Sequence, residues 1–112
     1  MVLVKERVCH RDEIWEGEKF FGYVSGKPVV LVNVEEDIKA FQGWCPHQDI
    51  SFEDAELEGC TLSCMAHVWT FDMRTGKGIN PKKTQLQEFP VEIDREGMVF
   101  VTLLEKETDK GE

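Results

Sequence analysis

Short apolar runs, many of them alternating or β-branched, cover most of this chain and are separated by glycine, proline and charged turns. The pattern predicts strands at residues 2–8, 19–24, 29–34, 38–44, 61–63, 69–72, 85–95 and 98–104. Gly26-Lys27-Pro28 after Ser25, the charged run at 35–37, and Glu96-Gly97 supply the turns between them. Evenly spaced short strands with almost no helical periodicity favour an all-β fold, an antiparallel β-sandwich or barrel.

The segments between the strands give further expectations. Residues 11–17 predict a turn or one helical turn that ends at Gly17, with Trp15 filling a place in the core. Residues 51–59 are acidic and predict an exposed connection with room for one short helical turn. Residues 72–78 predict a turn, and the charged residues 105–112 predict a frayed tail.

Composition narrows the class of protein. A length of 112 residues predicts one domain, and no apolar run is long enough to span a membrane. We expect no signal peptide and therefore a soluble, cytoplasmic protein. A formal net charge of −9 argues against nucleic acid and anionic membranes as partners. The acidity either steers the protein toward basic docking surfaces or only keeps it soluble.

Two Cys/His pairs are the strongest chemical signal in the chain. They read Cys45-Pro46-His47 and Cys64-Met65-Ala66-His67, so that each short turn offers one thiolate and one imidazole. Such a set suits a tetrahedral zinc ion. It also suits a 2Fe–2S cluster of the Rieske type, in which two His replace two Cys on one iron. The remaining alternative is four unrelated residues.

The mixed order within each pair favours the cluster over zinc. Zinc signatures usually begin with two cysteines and end with two histidines, whereas each loop here can contact both irons. The other two cysteines, Cys9 and Cys60, lie far apart and outside the loops, so we expect both to be free thiols in or near the core.

Four further segments extend the signal beyond the ligands: FQGWCPHQDI at 41–50, HVWTFD at 67–72, TGKGINP at 75–81 and FPVEI at 89–93. With the two Cys/His pairs, they make residues 2–101 resemble the Rieske 2Fe–2S ferredoxin component of toluene-monooxygenase-type multicomponent diiron monooxygenases. That group includes the toluene, alkene and isoprene monooxygenases.

The resemblance implies a Rieske fold with a small cluster-binding part, about residues 44–82, formed by two loops plus a proline loop that contains Pro81. It implies one 2Fe–2S cluster, with Cys45 and Cys64 on the inner iron and His47 and His67 on the outer iron. Gln48, Met65, Trp69 and Pro81 would surround the cluster and form a docking patch. Trp69 stands where high-potential relatives carry a serine, and no disulfide can join the loops, so we expect a low reduction potential for a Rieske centre.

The function implied by the resemblance is transport of single electrons, with no catalytic residues in this chain. An NADH-dependent flavin and iron–sulfur oxidoreductase would donate the electron, and a diiron hydroxylase that acts on aromatic or alkene hydrocarbons would accept it. We expect a monomer. Two alternatives stay open: a ferredoxin of a ring-hydroxylating Rieske dioxygenase, and a zinc-stabilised interaction module. The sequence does not identify the hydrocarbon.

Overall fold

The fold consists of three antiparallel sheets in a computed structural model, which describes residues 2–46, 50–64, 69–80 and 82–105. One sheet has the strand order β1-β11-β10, the second β2-β3-β4-β9, and the third β5-β6-β7-β8. The strands are β1 Val2–His10, β2 Lys19–Val24, β3 Lys27–Val34, β4 Asp37–Gln42, β5 Glu56–Glu58, β6 Thr61–Ser63, β7 Thr70–Asp72, β8 Lys77–Asn80, β9 Glu88–Phe89, β10 Val91–Ile93 and β11 Met98–Glu105. The all-β antiparallel prediction is confirmed.

Two-residue turns connect β2 to β3 and β3 to β4 in the second sheet. Ser25 and Gly26 have φ angles of 53° and 82°, and Val24 pairs directly with Lys27. Two successive positive φ angles match the twist of adjacent strands, so this hairpin is tighter than the four-residue turn expected from the sequence. Glu35 and Glu36 form the next turn with φ angles of 55° and 65°. Non-glycine residues rarely adopt this conformation.

Strand β3 is the centre of the molecule because both of its faces are buried. Val29 and Leu31 pack into a core shared with strands β1 and β11. Val30 and Val32 point the other way, into a second core that includes Leu62 and Phe71 of the third sheet. Successive side chains of a strand lie on opposite faces, so one run of apolar residues supports both cores.

The helical turn predicted in residues 11–17 is present as a 3-10 helix at Arg11–Glu13, but it ends before Gly17, and the role given to Trp15 is wrong. Trp15 is 71% exposed, and its neighbour Ile14 is 1% exposed. Ile14 has extended backbone angles, so adjacent side chains point in opposite directions and only one of the two can enter the core.

The acidic segment 51–59 is more structured than the sequence predicted. The short helical turn is present as a 3-10 helix at Phe52–Asp54, and strand β5 follows it. Most of the segment is exposed, as expected, but Phe52 is fully buried and Ala55 is 3% exposed, which the sequence did not predict. The acidic residues between them, Glu53 and Asp54, face solvent.

The last hairpin is confirmed at β10 and β11, but the long strand predicted at 85–95 is divided. Phe89 of β9 pairs with Ala40 of β4, whereas β10 pairs with β11. Pro90 lies between them, and proline has no N–H to continue a ladder. Its carbonyl accepts a hydrogen bond of 3.1 Å from the Thr102 N–H. Residues 106–112 of the predicted tail lie outside the described residues.

No helix within the described ranges is long and apolar enough to cross a membrane. The sheet β5–β8 falls within the part of the chain expected to bind the cluster. The division into a single domain with a cluster-binding part at about 44–82 stays a prediction.

Candidate metal centre

Cys45 opens the first loop directly after the second sheet. Strand β4 ends at Gln42, and Trp44 forms an isolated bridge with Ser51 on the far side of the loop. The Cys45 N–H donates a hydrogen bond of 2.7 Å to the Ile50 carbonyl. These contacts fix both ends of the loop, and Cys45 itself is fully buried.

Cys64 opens the second loop in the same way. It follows strand β6, and its N–H donates a hydrogen bond of 2.9 Å to the Trp69 carbonyl. The acceptor lies five residues after the cysteine in both loops. The third sheet continues beyond the loop, since Ser63 pairs with Thr70. Each loop therefore begins at a cysteine whose backbone is held by the residue that closes the loop.

The two cysteines belong to the same apolar cluster of buried residues. That cluster also contains Phe52 and Phe71, whose rings meet edge to face at 5.9 Å. Both cysteines have no exposed surface, and no disulfide links them. A thiolate in such an apolar place is costly unless a metal ion or another cation stabilises it.

Gln42 and Gly43 hold the chain immediately before the first loop. The Gln42 side chain, 7% exposed, donates a hydrogen bond of 2.9 Å to the Trp44 carbonyl and accepts one of 2.9 Å from the Gln87 N–H. Gly43 donates to the Pro28 carbonyl at 3.0 Å and accepts from the Phe52 N–H at 2.8 Å. These hydrogen bonds connect the start of the first loop to β3, to the 3-10 helix at Phe52–Asp54 and to the segment before β9.

Trp69 closes the second loop and is partly buried. Its ring lies 6.4 Å from that of Phe71 and packs against the cluster of buried residues that contains both cysteines. Trp69 therefore packs against the core that holds both cysteines, whereas its place in a docking patch stays a prediction. Trp44 is also only partly buried.

The remaining site residues expected from the sequence lie outside the described residues: His47, Gln48, Met65, His67 and Pro81. In the described ranges, no group of three or more His, Cys, Asp or Glu side chains could hold a metal ion. Cys45 and Cys64 are the two members of the expected ligand set that the structure places.

The donor set fits a Rieske cluster. Two buried thiols open two loops of equal construction, and the sequence puts one histidine inside each loop. Two thiolates with two neutral imidazoles are the ligands that this cluster requires.

The other two cysteines are free thiols, as expected. Cys9 is 5% exposed and lies in the core shared by the first and second sheets, and Cys60 is partly buried against the second core. Burial, followed by the nearby Glu13 carboxylate, raises the pKa of the Cys9 thiol to about 11.

An ion pair that sequence reasoning missed joins the third sheet to the second. The Arg74 guanidinium donates to the Asp72 carboxylate at 3.1 Å and 3.0 Å, and lies 3.8 Å from Glu35. The Arg74 hydrogen bonds hold the pKa of Asp72 below its usual value of 3.8. The DxR spacing was visible in the sequence, but Glu35 is distant in the chain and gave no signal.

Gln42 was also missed as a support of the site. The only sequence signal is an amide residue at the end of an apolar strand, directly before the glycine that precedes the first cysteine loop.

Comparison with known proteins decides the family. The model of the Rieske [2Fe-2S] domain matches residues 5–90. The chain belongs to the Rieske [2Fe-2S] family. It therefore carries a Rieske 2Fe–2S cluster, and the zinc reading of the four ligands is set aside.

Curated members of this Rieske family resemble the chain over most of its length. It is 40% identical to the ferredoxin component of the alkene monooxygenase system of Xanthobacter autotrophicus, over 78% of this chain and 72% of that protein. It is 35% identical to the ferredoxin component of the naphthalene 1,2-dioxygenase system of Pseudomonas putida, over 73% of this chain and 80% of that protein.

Solved Rieske structures share the fold. A chain in the complex of reduced oxygenase and oxidized ferredoxin of carbazole 1,9a-dioxygenase matches with a TM-score of 0.76 and 25% identity, over 88% of this chain and 92% of that chain. The ferredoxin of carbazole 1,9a-dioxygenase from Nocardioides aromaticivorans also has a TM-score of 0.76, at 23% identity, over 88% of this chain and 96% of that chain. The Rieske fold expected from the sequence is confirmed.

Proposed function

We propose that this chain is the ferredoxin of a multicomponent oxygenase and carries single electrons between a reductase and the oxygenase. The observation that carries the proposal is the pair of buried cysteines at the starts of two equally constructed loops. The bound cluster supplies a centre that accepts and releases one electron. The chain itself is not an enzyme, since the relatives described above are named as ferredoxin components.

The ligands in this proposal are Cys45, His47, Cys64 and His67. The thiolates of Cys45 and Cys64 offset a charge of about +2 on two ferric ions and two sulfides, whereas four thiolates would leave about −2. Neutral imidazoles from the two histidines therefore make an added electron easier to accept. The buried backbone around the cysteines excludes water from the inner side of the centre.

In this proposal, four residues that are not ligands surround the cluster: Gln48, Met65, Trp69 and Pro81. Trp69 offers no hydroxyl to a bridging sulfide, so the reduction potential falls in the lower part of the Rieske range of about −150 to +300 mV. The same four residues would cover a small contact surface of the kind that transient electron-transfer partners use.

The partners are proposed from the similarity to the alkene monooxygenase ferredoxin. An NADH-dependent flavin and iron–sulfur oxidoreductase donates the electron, and a diiron hydroxylase component accepts it. The hydroxylase determines which hydrocarbon is oxidised. A monomer in the cytoplasm remains our expectation, tested by sedimentation of the purified protein and by fractionation of the host cell.

A second acceptor is favoured by a specific observation. The naphthalene dioxygenase ferredoxin is 35% identical to this chain, close to the 40% of the alkene monooxygenase ferredoxin. In that alternative the acceptor is the Rieske centre of a ring-hydroxylating dioxygenase rather than a diiron site.

The deciding experiment mixes the dithionite-reduced protein with each acceptor in a stopped-flow spectrometer. The proposal predicts fast reoxidation by a diiron hydroxylase and slow reoxidation by a ring-hydroxylating dioxygenase. The reverse order would assign the chain to the dioxygenases. Failure of the protein to accept any electron from dithionite would overturn the electron-transfer proposal itself.

A further inference from the structure

A groove of about 630 Å³ opens between the start of β4 and the edge strand β10. Its apolar lining consists of Ile14, Trp15, Ile38, Val91 and Ile93. Trp15 is 71% exposed and Ile93 is 40% exposed. A tryptophan with most of its surface in water, beside other apolar side chains, marks a surface suited to contact with another molecule.

Polar groups of the groove are mainly hydrogen-bond acceptors. The charged residues that line it are three carboxylates, Asp12, Glu36 and Asp37, and one guanidinium, Arg11. The Oδ1 atom of Asn33 is buried and has no hydrogen-bond partner among the described residues. The lining therefore carries a net negative charge, and it has more hydrogen-bond acceptors than hydrogen-bond donors.

The carboxylates of the groove are only weakly engaged within the described part of the chain. Asp37 lies 3.4 Å from the Lys39 ammonium group, and Asp12 lies 3.6 Å from a ring nitrogen of His10. The Glu36 side chain forms no hydrogen bond or ion pair there, although its backbone N–H donates to Glu16 at 2.6 Å. These groups remain available to an incoming cation.

The groove lies away from the cysteine loops. Asp37 begins β4 and Gln42 ends it, shortly before Cys45. Six residues of strand separate these ends by about 17 Å. A short segment bound at the Asp37 end of the groove would therefore not reach Cys45.

We propose that this groove docks an arginine-bearing segment of a partner protein. A guanidinium stacks on an indole ring better than an ammonium does, and its donors pair with the Glu36 and Asp37 carboxylates. The methylene stem of the arginine fits against Ile38 and Ile93. The contact holds the carrier to its partner while the cysteine loops stay accessible. It does not depend on which oxygenase accepts the electron.

The test uses the cluster-loaded, ¹⁵N-labelled protein and a blocked tetra-arginine peptide as the probe. Chemical shifts of the Trp15 indole N–H and of the Glu36 and Asp37 amides are followed at low salt. The indole signal is assigned with Trp15→Phe. We expect saturable shifts at these positions, with little change at Tyr23, an exposed aromatic residue elsewhere on the surface.

Variants of the protein separate stacking from general charge attraction. Trp15→Ala is expected to weaken binding about three- to tenfold, and the double variant Glu36→Gln/Asp37→Asn by at least as much. The matched control Glu53→Gln/Asp54→Asn removes the same charge from the exposed 3-10 helix at Phe52–Asp54 and should bind like the unaltered protein. The cluster absorption spectrum verifies that each variant is folded.

Three results would overturn the proposal. The first is a set of chemical-shift changes spread over the whole acidic surface. The second is that the matched control weakens peptide binding as much as Glu36→Gln/Asp37→Asn does. The third is that a tetra-lysine peptide binds as tightly as tetra-arginine and that Trp15→Ala has no effect on binding. An electron-transfer assay with dithionite is unaffected by any of them, so failure of the docking proposal is distinguishable from failure of the proposed function.

Discussion

Gln42, at the end of β4, and Gln87, just before β9, are joined by two hydrogen bonds of 2.9 Å each. The Gln42 N–H donates to the Gln87 carbonyl, and the Gln87 N–H donates to the Gln42 side-chain oxygen. The same Gln42 amide donates to the Trp44 carbonyl, one residue before Cys45. One buried side chain thus connects the chain that leads into the first cysteine loop with a segment 45 residues away.

Replacing Gln42 tests whether this connection positions the centre. Gln42→Ala leaves the Gln87 N–H and the Trp44 carbonyl without their partner, which costs about 2 kcal/mol in the free energy of unfolding. We also expect broader EPR lines from the reduced cluster. Gln42→Glu keeps an acceptor for Gln87 but buries a carboxylate against the Trp44 carbonyl, so at pH 7 it should destabilise at least as much as alanine.

The control for Gln42 is Gln87→Ala, since the Gln87 side chain is exposed and its backbone supplies both contacts. That variant should match the unaltered protein in urea unfolding and in EPR line shape. A Gln42→Ala protein with unchanged stability and unchanged lines would show that the amide has no positioning role.

Gly43 has no room for a side chain. A Cβ atom there would lie 2.7 Å from the Pro28 carbonyl carbon and 2.8 Å from the Val29 nitrogen, and neither backbone atom can move freely. Gly43→Ala should cost about 2 kcal/mol of stability and displace the start of the first cysteine loop, so that iron content falls.

The comparison variant for Gly43 is Gly59→Ala. Gly59 has a φ of 60° and open space around it, so alanine there adds backbone strain of about 1 kcal/mol without touching either loop. Iron content should stay at the level of the unaltered protein. Equal iron loss in both variants would refute the steric argument for Gly43.

The Asp72–Arg74 ion pair predicts a dependence of stability on pH. Arg74 lowers the pKa of Asp72 in the folded protein, so the stabilisation is present above pH 3.8 and is lost as the pH falls through the folded value. Arg74 is exposed, so the coupling measured by Asp72→Asn and Arg74→Gln in a double-mutant cycle should be small at pH 7. Urea unfolding of the four proteins over a pH series measures it, and a coupling that grew with acidity would contradict the assignment.

Cys9 should be the least reactive thiol outside the centre. Its pKa is raised to about 11, so it stays protonated at pH 8, and it is also shielded by the core. Because the folded pKa is raised from 9.0, the stabilisation is complete below pH 9.0 and is lost as the pH rises toward 11. Alkylation with iodoacetamide and peptide mapping should find Cys60 modified first. Cys9→Val should remove the alkaline loss of stability, whereas labelling of Cys9 as fast as Cys60 would contradict the burial argument.

Sequence reasoning succeeded where a local pattern decided the structure. Strand β6 was predicted at residues 61–63, where it occurs, because this segment leads directly into the second cysteine loop. The loops themselves were predicted from ligand spacing. The errors fall where distant contacts decide. Trp15 is exposed because Ile14 occupies the buried position, and Phe52 is buried although its neighbours are acidic.

Contacts between segments far apart in the chain could not be predicted. Glu35 and Arg74 are brought together only by the packing of the second and third sheets. The Gln42–Gln87 pair likewise depends on the pairing of β9 with β4, which ends at Pro90 before the last hairpin begins. A single sequence carries no pattern that records either pairing.

The most direct test of the central claim is an EPR spectrum of the dithionite-reduced protein, with iron and acid-labile sulfide measured on the same sample. The account predicts a rhombic signal with an average g below that of a free electron, together with two irons and two sulfides per chain. An EPR-silent, colourless protein that contains zinc in place of iron would contradict it, because the buried cysteines would then belong to a structural site without redox function.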